Sequence, residues 1–211
     1  MEKGIAVTIA WPETYCKQAG AWYDPIIQAV NIGKDGYYKV GHAAIVLIDS
    51  NGNCFYFDFG RYHTPHSFGR VRDVSTDHDL KIFTKVEFDN DGEPILDNLF
   101  NELNNNSSCH GDGKLRAGFI HTDFQKTFNC AKEIQKNDYL PYGPFVRKGT
   151  NCSRFVRDIA LIGSTNKWVN TKLRLPWMLT PSPMWNIRAT GEYVVGETIL
   201  EEIKVEQYEV A

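Results

Sequence analysis

From Lys39 to Asp49 the chain reads Lys-Val-Gly-His-Ala-Ala-Ile-Val-Leu-Ile-Asp, apolar at alternating and intervening positions alike. A strand with that pattern is central and covered on both faces. Ser50-Asn51-Gly52 supplies a tight turn, and the aromatic-rich stretch Asn53 to Gly60 reads as the returning strand. Gly4-Ile-Ala-Val-Thr-Ile-Ala-Trp reads as a first strand. It is too short for a leader and lacks a small-residue cleavage site, so the chain as given is expected in the cytoplasm unless a leader preceded it. Leu80 to Phe88 alternates partially and predicts a third strand. From Pro94 to Asn104, the residues Ile95, Leu96, Leu99, Phe100 and Leu103 fall on one helical stripe.

A polar, Gly-rich loop follows over 105–114, and Leu115 to His121 predicts another strand. Thr122 with Gln125 forms a capping box before Phe124, Phe128, Ala131 and Ile134, which recur at helical spacing. Tyr139-Leu-Pro-Tyr-Gly-Pro-Phe is held out of regular structure by its Pro and Gly. Asn151 is a favourable N-cap for a helix from Cys152 to about Ile162, closed by Gly163, with Phe155, Val156, Ile159 and Ala160 on its buried face. Residues 164–190 contain Pro176, Pro181 and Pro183 and predict a long wrap with little regular structure; Glu192 to Val210 predicts one or two last strands. The mixture indicates an α+β fold around a small antiparallel sheet, in a single domain spanning 1–211.

Composition narrows the function classes. Hydrophobic content of 42% with 23% charged residues is that of a soluble globular protein. A net charge of −3 without a basic stripe argues against a nucleic-acid partner, and no run of ~20 apolar residues predicts a membrane span. Trp11, Trp22, Trp168, Trp177 and Trp185 lie towards the two ends of the chain and are candidates for the core or for a cleft lining. Five cysteines (Cys16, Cys54, Cys109, Cys130, Cys152) are odd in number and irregular in spacing, the usage of reduced thiols and not of a disulfide framework.

One of those thiols has a chemically useful position. Gly149-Thr-Asn-Cys-Ser-Arg-Phe-Val puts Cys152 in the first turn of the predicted helix. First-turn amides lack intrahelical partners and carry partial positive charge. A thiolate there is stabilised, and the same amides can meet an oxyanion. Such a cysteine needs a base, usually histidine. His42 is the best partner, a polar ring in an otherwise apolar strand. If Ser50-Asn51-Gly52 is a three-residue turn, Asp49 pairs with Asn53 and His42 lies opposite Gly60. Asp58 and Tyr56 then share His42's face, and Asp58 is placed to orient the ring. A two-residue turn reverses the parity and leaves His63 as the alternative.

These residues resemble the nucleophile motif of NlpC-like peptidases, a Cys-Ser pair opening a helix, with Tyr142 in Pro-Tyr-Gly-Pro-Phe matching the tyrosine kept beside the cysteine. Here Gly41-His-Ala-Ala-Ile-Val precedes the cysteine, an order similar to the permuted branch that includes lecithin-retinol acyltransferase-like proteins. The resemblance covers 38–60 and 139–162 and departs from the family at Arg154, where a small residue is common. It implies a circularly permuted, papain-like fold and a cysteine-dependent amidase or peptidase acting on a peptide or peptidoglycan fragment, with Cys152, His42, Asp58 and Tyr142 at the site and no cofactor. Two other function classes remain: a peptide- or glycan-binding module without turnover, and an acyltransferase or thioesterase.

The remaining polar residues are expected to be structural. His63, His66, Cys109 and His110 fit no zinc spacing, and His78 joins the histidines as a solvated loop residue. Arg154 and Arg157, one turn apart, read as a surface pair or as a clamp for a substrate carboxylate.

Overall fold

The computed structural model describes residues 2–17, 33–34, 37–109, 111–175 and 180–193. The elements are β1 (Lys3–Trp11), β2 (Tyr15–Lys17), β3 (Gly33–Lys34), β4 (Tyr37–Lys39), β5 (His42–Ile48), β6 (Cys54–Gly60), β7 (Phe68–Arg72), β8 (Glu87–Phe88), β9 (Pro94–Ile95), α1 (Asp97–Asn105), β10 (Arg116–Asp123), α2 (Phe124–Gln135), β11 (Leu140–Pro141), α3 (Cys152–Gly163), α4 (Lys167–Arg174), α5 (Pro183–Thr190) and β12 (Glu192–Tyr193). The fold is α+β, built on an antiparallel sheet in the order β11-β7-β6-β5-β1-β10-β12.

The apolar runs become the middle of this sheet. β5 is buried at every position and β1 at every position after Lys3. Their alternate residues feed two cores. Ala43, Ile45 and Leu47 pack with Phe57, Phe59 and the helical residues Ala131, Phe155, Val156 and Ile159. Ala44, Val46 and Ile48 pack on the other face with Leu80, Val86, Leu99, Phe100 and Leu103. Coverage on both sides explains why these strands lack a polar face.

The β5–β6 hairpin fixes the register that matters most. Asp49 Oδ1 accepts the amides of Asn51 and Asn53 at 2.8 and 2.9 Å, and Gly52 takes φ +81°, a conformation that favours glycine. Ile48 then pairs with Cys54 and Ala44 with Asp58, which is the three-residue turn and its parity.

Several expectations need correction. The sheet has seven strands and is not small. The strand after β6 is Phe68–Arg72, which pairs Asp58 with Arg72; within Leu80–Phe88 only Glu87–Phe88 is a strand, paired with Pro94–Ile95. Phe68–Arg72 was hidden by its arginines, whose partners lie elsewhere in the fold. Thr122 is still in β10, paired with Gly4, so the cap of α2 is Asp123, whose side chain accepts from Lys126 N. Residues 164–190 hold two helices, not an irregular wrap. Asn166 caps α4, and Ser182 caps α5 with Pro183 at its start. Proline in a first helical turn loses nothing, because the missing N–H would be unpaired there anyway. Glu192–Tyr193 forms a short last strand; the rest of the stretch predicted as strand to Val210 lies outside the described residues, as do Trp22, Trp177 and His110.

Candidate active site

His42 is the first residue of β5. Trp11, its partner across β1, stacks on the imidazole with centroids 5.9 Å apart. On the neighbouring strand Asp58 lies diagonal to His42, and its Oδ2 is 3.2 Å from His42 Nε2. Asp58 is fully buried and His42 is 5% exposed. With Nε2 engaged by the carboxylate, Nδ1 is the ring nitrogen left for the thiol.

Cys152 comes from the opposite layer. Asn151 has extended backbone, and its side chain accepts the Arg154 amide at 2.9 Å, so α3 starts at the cysteine. Phe155, Val156, Ile159 and Ala160 anchor that helix in the core beneath β5 and β6. The groups that act on the thiol are His42, the Ala43 amide and the Tyr142 hydroxyl, each of which favours its ionised form. Tyr142 is held by stacking on Phe59, with centroids 5.8 Å apart and planes 4° from parallel. Gly69 lies under both rings, where a Cβ would come within 2.7 Å of Phe59 and 2.9 Å of Tyr142. His42, Asp58, Tyr142 and Cys152 are therefore brought together from four separate stretches of chain.

A protonated His42 and an ionised Cys152 each favour the other. Burial opposes charge on His42, but hydrogen bonds to Asp58 and Cys152 outweigh it and raise its pKa to about 9. Burial likewise pushes the Cys152 thiol up, yet His42, the Ala43 amide and the Tyr142 hydroxyl hold it below its ordinary value. Asp58 is lowered despite burial by hydrogen bonds from His42 and Arg72. The other four cysteines go the opposite way. Burial raises Cys16, Cys54 and Cys109 to about 12 and raises Cys130 too.

A cleft of about 620 Å³ opens beside the group, with Trp11, Tyr15, Cys16, His42, Tyr62 and Tyr142 among its walls. Cys152 is buried, 6% exposed, and is not one of the residues that line the cleft. Trp11 thus belongs to core and cleft alike, whereas Trp168 is 67% exposed.

Two residues at the site have no signal in the sequence pattern. Arg72 grips Asp58 from β7, and Tyr62 donates to Asp58 Oδ2 at 3.4 Å from the turn after β6. Only a known β6–β7 register would have pointed to Arg72. Tyr56 donates to Asp58 at 3.1 Å and so buttresses the carboxylate. His63 is exposed, in a left-handed turn position with φ 51°, away from the ring it was an alternative to orient. Arg154 is buried, not a surface residue: it donates to the carbonyls of Gly143 and Val146 at 2.9 and 3.0 Å and so secures the segment that carries Tyr142. Arg157 pairs with Asp158.

A family model described as type VI secretion system effector TseH-like matches residues 6–169. The chain belongs to this family. The matched region spans β1 through the start of α4 and contains His42, Asp58, Tyr142 and Cys152. No curated protein and no solved structure matches the chain significantly. Membership in the TseH-like family is consistent with an NlpC-like fold and with a cysteine-dependent hydrolase. Among the described residues no helix is long and apolar enough to cross a membrane.

Proposed function

We propose that this protein is a cysteine hydrolase that cleaves an amide bond in a cell-wall peptide, on a papain-like fold in permuted order. One observation carries the reading: a helix-start cysteine whose thiol is lowered by a buried imidazole, itself held through Nε2 by a buried carboxylate at 3.2 Å. In this reading the Cys152 thiolate attacks the carbonyl carbon, a C–S bond forms, and the carbonyl electrons move onto oxygen. In this reading the Cys152 amide and the Tyr142 hydroxyl donate to that oxyanion. Collapse breaks the C–N bond as His42 gives its proton to the leaving amine. Water, deprotonated by His42, then attacks the thioester carbonyl; the C–S bond breaks, the acid leaves, and the Cys152 thiolate and the His42 imidazolium are restored. Asp58 keeps the ring aimed throughout and stabilises its positive charge.

Support for the substrate class comes from the NlpC-like motif around Cys152 and from membership in a family of secretion effectors. The test is digestion of purified peptidoglycan sacculi, with soluble fragments resolved by mass spectrometry. Wild-type protein is expected to release fragments bearing one new amine and one new carboxylate, and Cys152→Ala none. Release by Cys152→Ala at the wild-type rate ends the proposal, as does a wild-type protein that cuts neither sacculi nor soluble cell-wall peptides.

A further inference from the structure

The two oxygens of Asp58 sit in unlike surroundings. Oδ2 accepts from His42 Nε2 at 3.2 Å, Tyr56 at 3.1 Å, Tyr62 at 3.4 Å and Arg72 Nη2 at 2.6 Å. Among the described residues Oδ1 accepts one hydrogen bond, from Arg72 Nε at 3.0 Å. Every other donor pulls on the same oxygen and tolerates rotation of the carboxylate about it. Only the two-point contact from Arg72 defines the carboxylate plane.

Arg72 is itself fixed. It lies directly across from Asp58 on β7, its Nη2 also donates to the Ser108 carbonyl at 3.0 Å, and its Cζ sits 3.5 Å from the centroid of the Tyr62 ring. Its side chain is 4% exposed. The neighbouring Ser107 and Cys109 line the cleft, so the guanidinium joins a cleft wall to the carboxylate. A buried ion pair is on general grounds a poor source of net stability, because desolvation offsets the attraction. Orientation is a use that does not depend on net stability. With these donors around it, the carboxylate is a poor proton acceptor and a good fixed anion.

We infer that Arg72 is a positioning residue: its fork sets the plane and the charge of Asp58, and through Asp58 aims His42 at Cys152. The inference rests on the Cys152–His42 reading above. The groups facing Asp58 are His42 from β5, Tyr56 on its own strand, Tyr62 from the turn, Arg72 from β7 and Cys109 from the segment after α1. Of these, only His42 changes charge near neutrality on its ordinary pKa.

The experiment measures the pH dependence of Cys152 alkylation by iodoacetamide in wild type, Arg72→Lys, Arg72→Met, Asp58→Asn and the double variant Asp58→Asn/Arg72→Met. Arg72→Met is expected to shift the acid inflection upward and slow alkylation at mildly acid pH by about tenfold or more, one pKa unit being tenfold in thiolate there. Arg72→Lys, which keeps the charge but not the fork, should fall between the two. In the Asp58→Asn background, removing Arg72 should cost nothing further, because its target is gone. The double variant buries no unpaired charge and so removes the main threat to folding.

An Arg72→Met profile identical to wild type overturns the inference. So does an equal slowing by Arg72→Met with and without Asp58, which is the mark of a merely structural residue. Should Arg72→Met fail to fold, Arg72→Lys decides, and a wild-type profile there overturns it. A different result counts against the hydrolase reading itself: a wild-type thiol without an acid inflection, unaltered by His42→Ala.

Discussion

Replacing His42 with alanine takes away the cation that faces Cys152 and leaves the thiol with burial as its main influence. Cys109 shows where that leads, since burial, with the nearby Asp58 charge, raises its pKa to about 12. Cys152 in the intact site stands below its ordinary value of 9.0. Loss of the cation raises the Cys152 thiol, and each pKa unit of rise leaves about tenfold less thiolate at neutral pH. Each remaining thiolate is more nucleophilic, by a Brønsted coefficient of about 0.4–0.5, which returns roughly threefold per unit. The net expectation is that Cys152 alkylation in His42→Ala near pH 7 slows by about three- to fourfold for each unit of rise, read by mass spectrometry of the modified peptide. The wild-type protein carries its own control: at mildly acid pH only Cys152 should react, while Cys16, Cys54, Cys109 and Cys130 stay silent. Hydrolysis should add an alkaline limb. The imidazolium contributes fully below its ordinary value of 6.5 and is lost as pH rises through about 9, so amide cleavage should fall there while alkylation does not. A Cys152 that alkylates at the wild-type rate without His42 would refute the ion-pair argument.

Two other substitutions test how the site is held. Asn151→Ala removes the side chain that caps α3 and should cost about 1 kcal/mol in urea unfolding, with slower Cys152 alkylation at acid pH as the helix start frays. Unchanged stability together with unchanged thiol reactivity would show that the cap has no such role. Gly69→Ala drives a Cβ into the Phe59 and Tyr142 rings and should cost about 1–3 kcal/mol of overpacking. It should also lower the turnover of amide substrate by displacing the tyrosine, and wild-type kinetics in a folded Gly69→Ala protein would argue against a part for Tyr142.

Local chemistry was readable wherever neighbours along the chain decide it. Gly149-Thr-Asn-Cys specifies a capped helix start at Cys152, Asp49 to Asn53 specifies a turn, the apolar run at Lys3–Trp11 specifies a strand, and that at His42–Ile48 a doubly covered one. These features depend on propensity, capping and periodicity, all of which act within a few residues. The sequence could narrow the ring's partner to Asp58, Tyr56 or His63, since turn length alone sets which face Asp58 and Tyr56 take.

What tertiary structure decided lies between segments far apart in the chain. Whether the turn holds two residues or three, and so whether Asp58 faces His42, was settled by the pairing of Ile48 with Cys54. Arg72 gained its meaning only from lying opposite Asp58, and Arg154 only from the carbonyls of a folded-back loop. The helices after Ser164 form because their faces pack on α3 and the sheet, a contribution no propensity scale contains. Pair interactions of this kind depend on distance in space, and a linear pattern carries no distance between residues that only the fold makes neighbours.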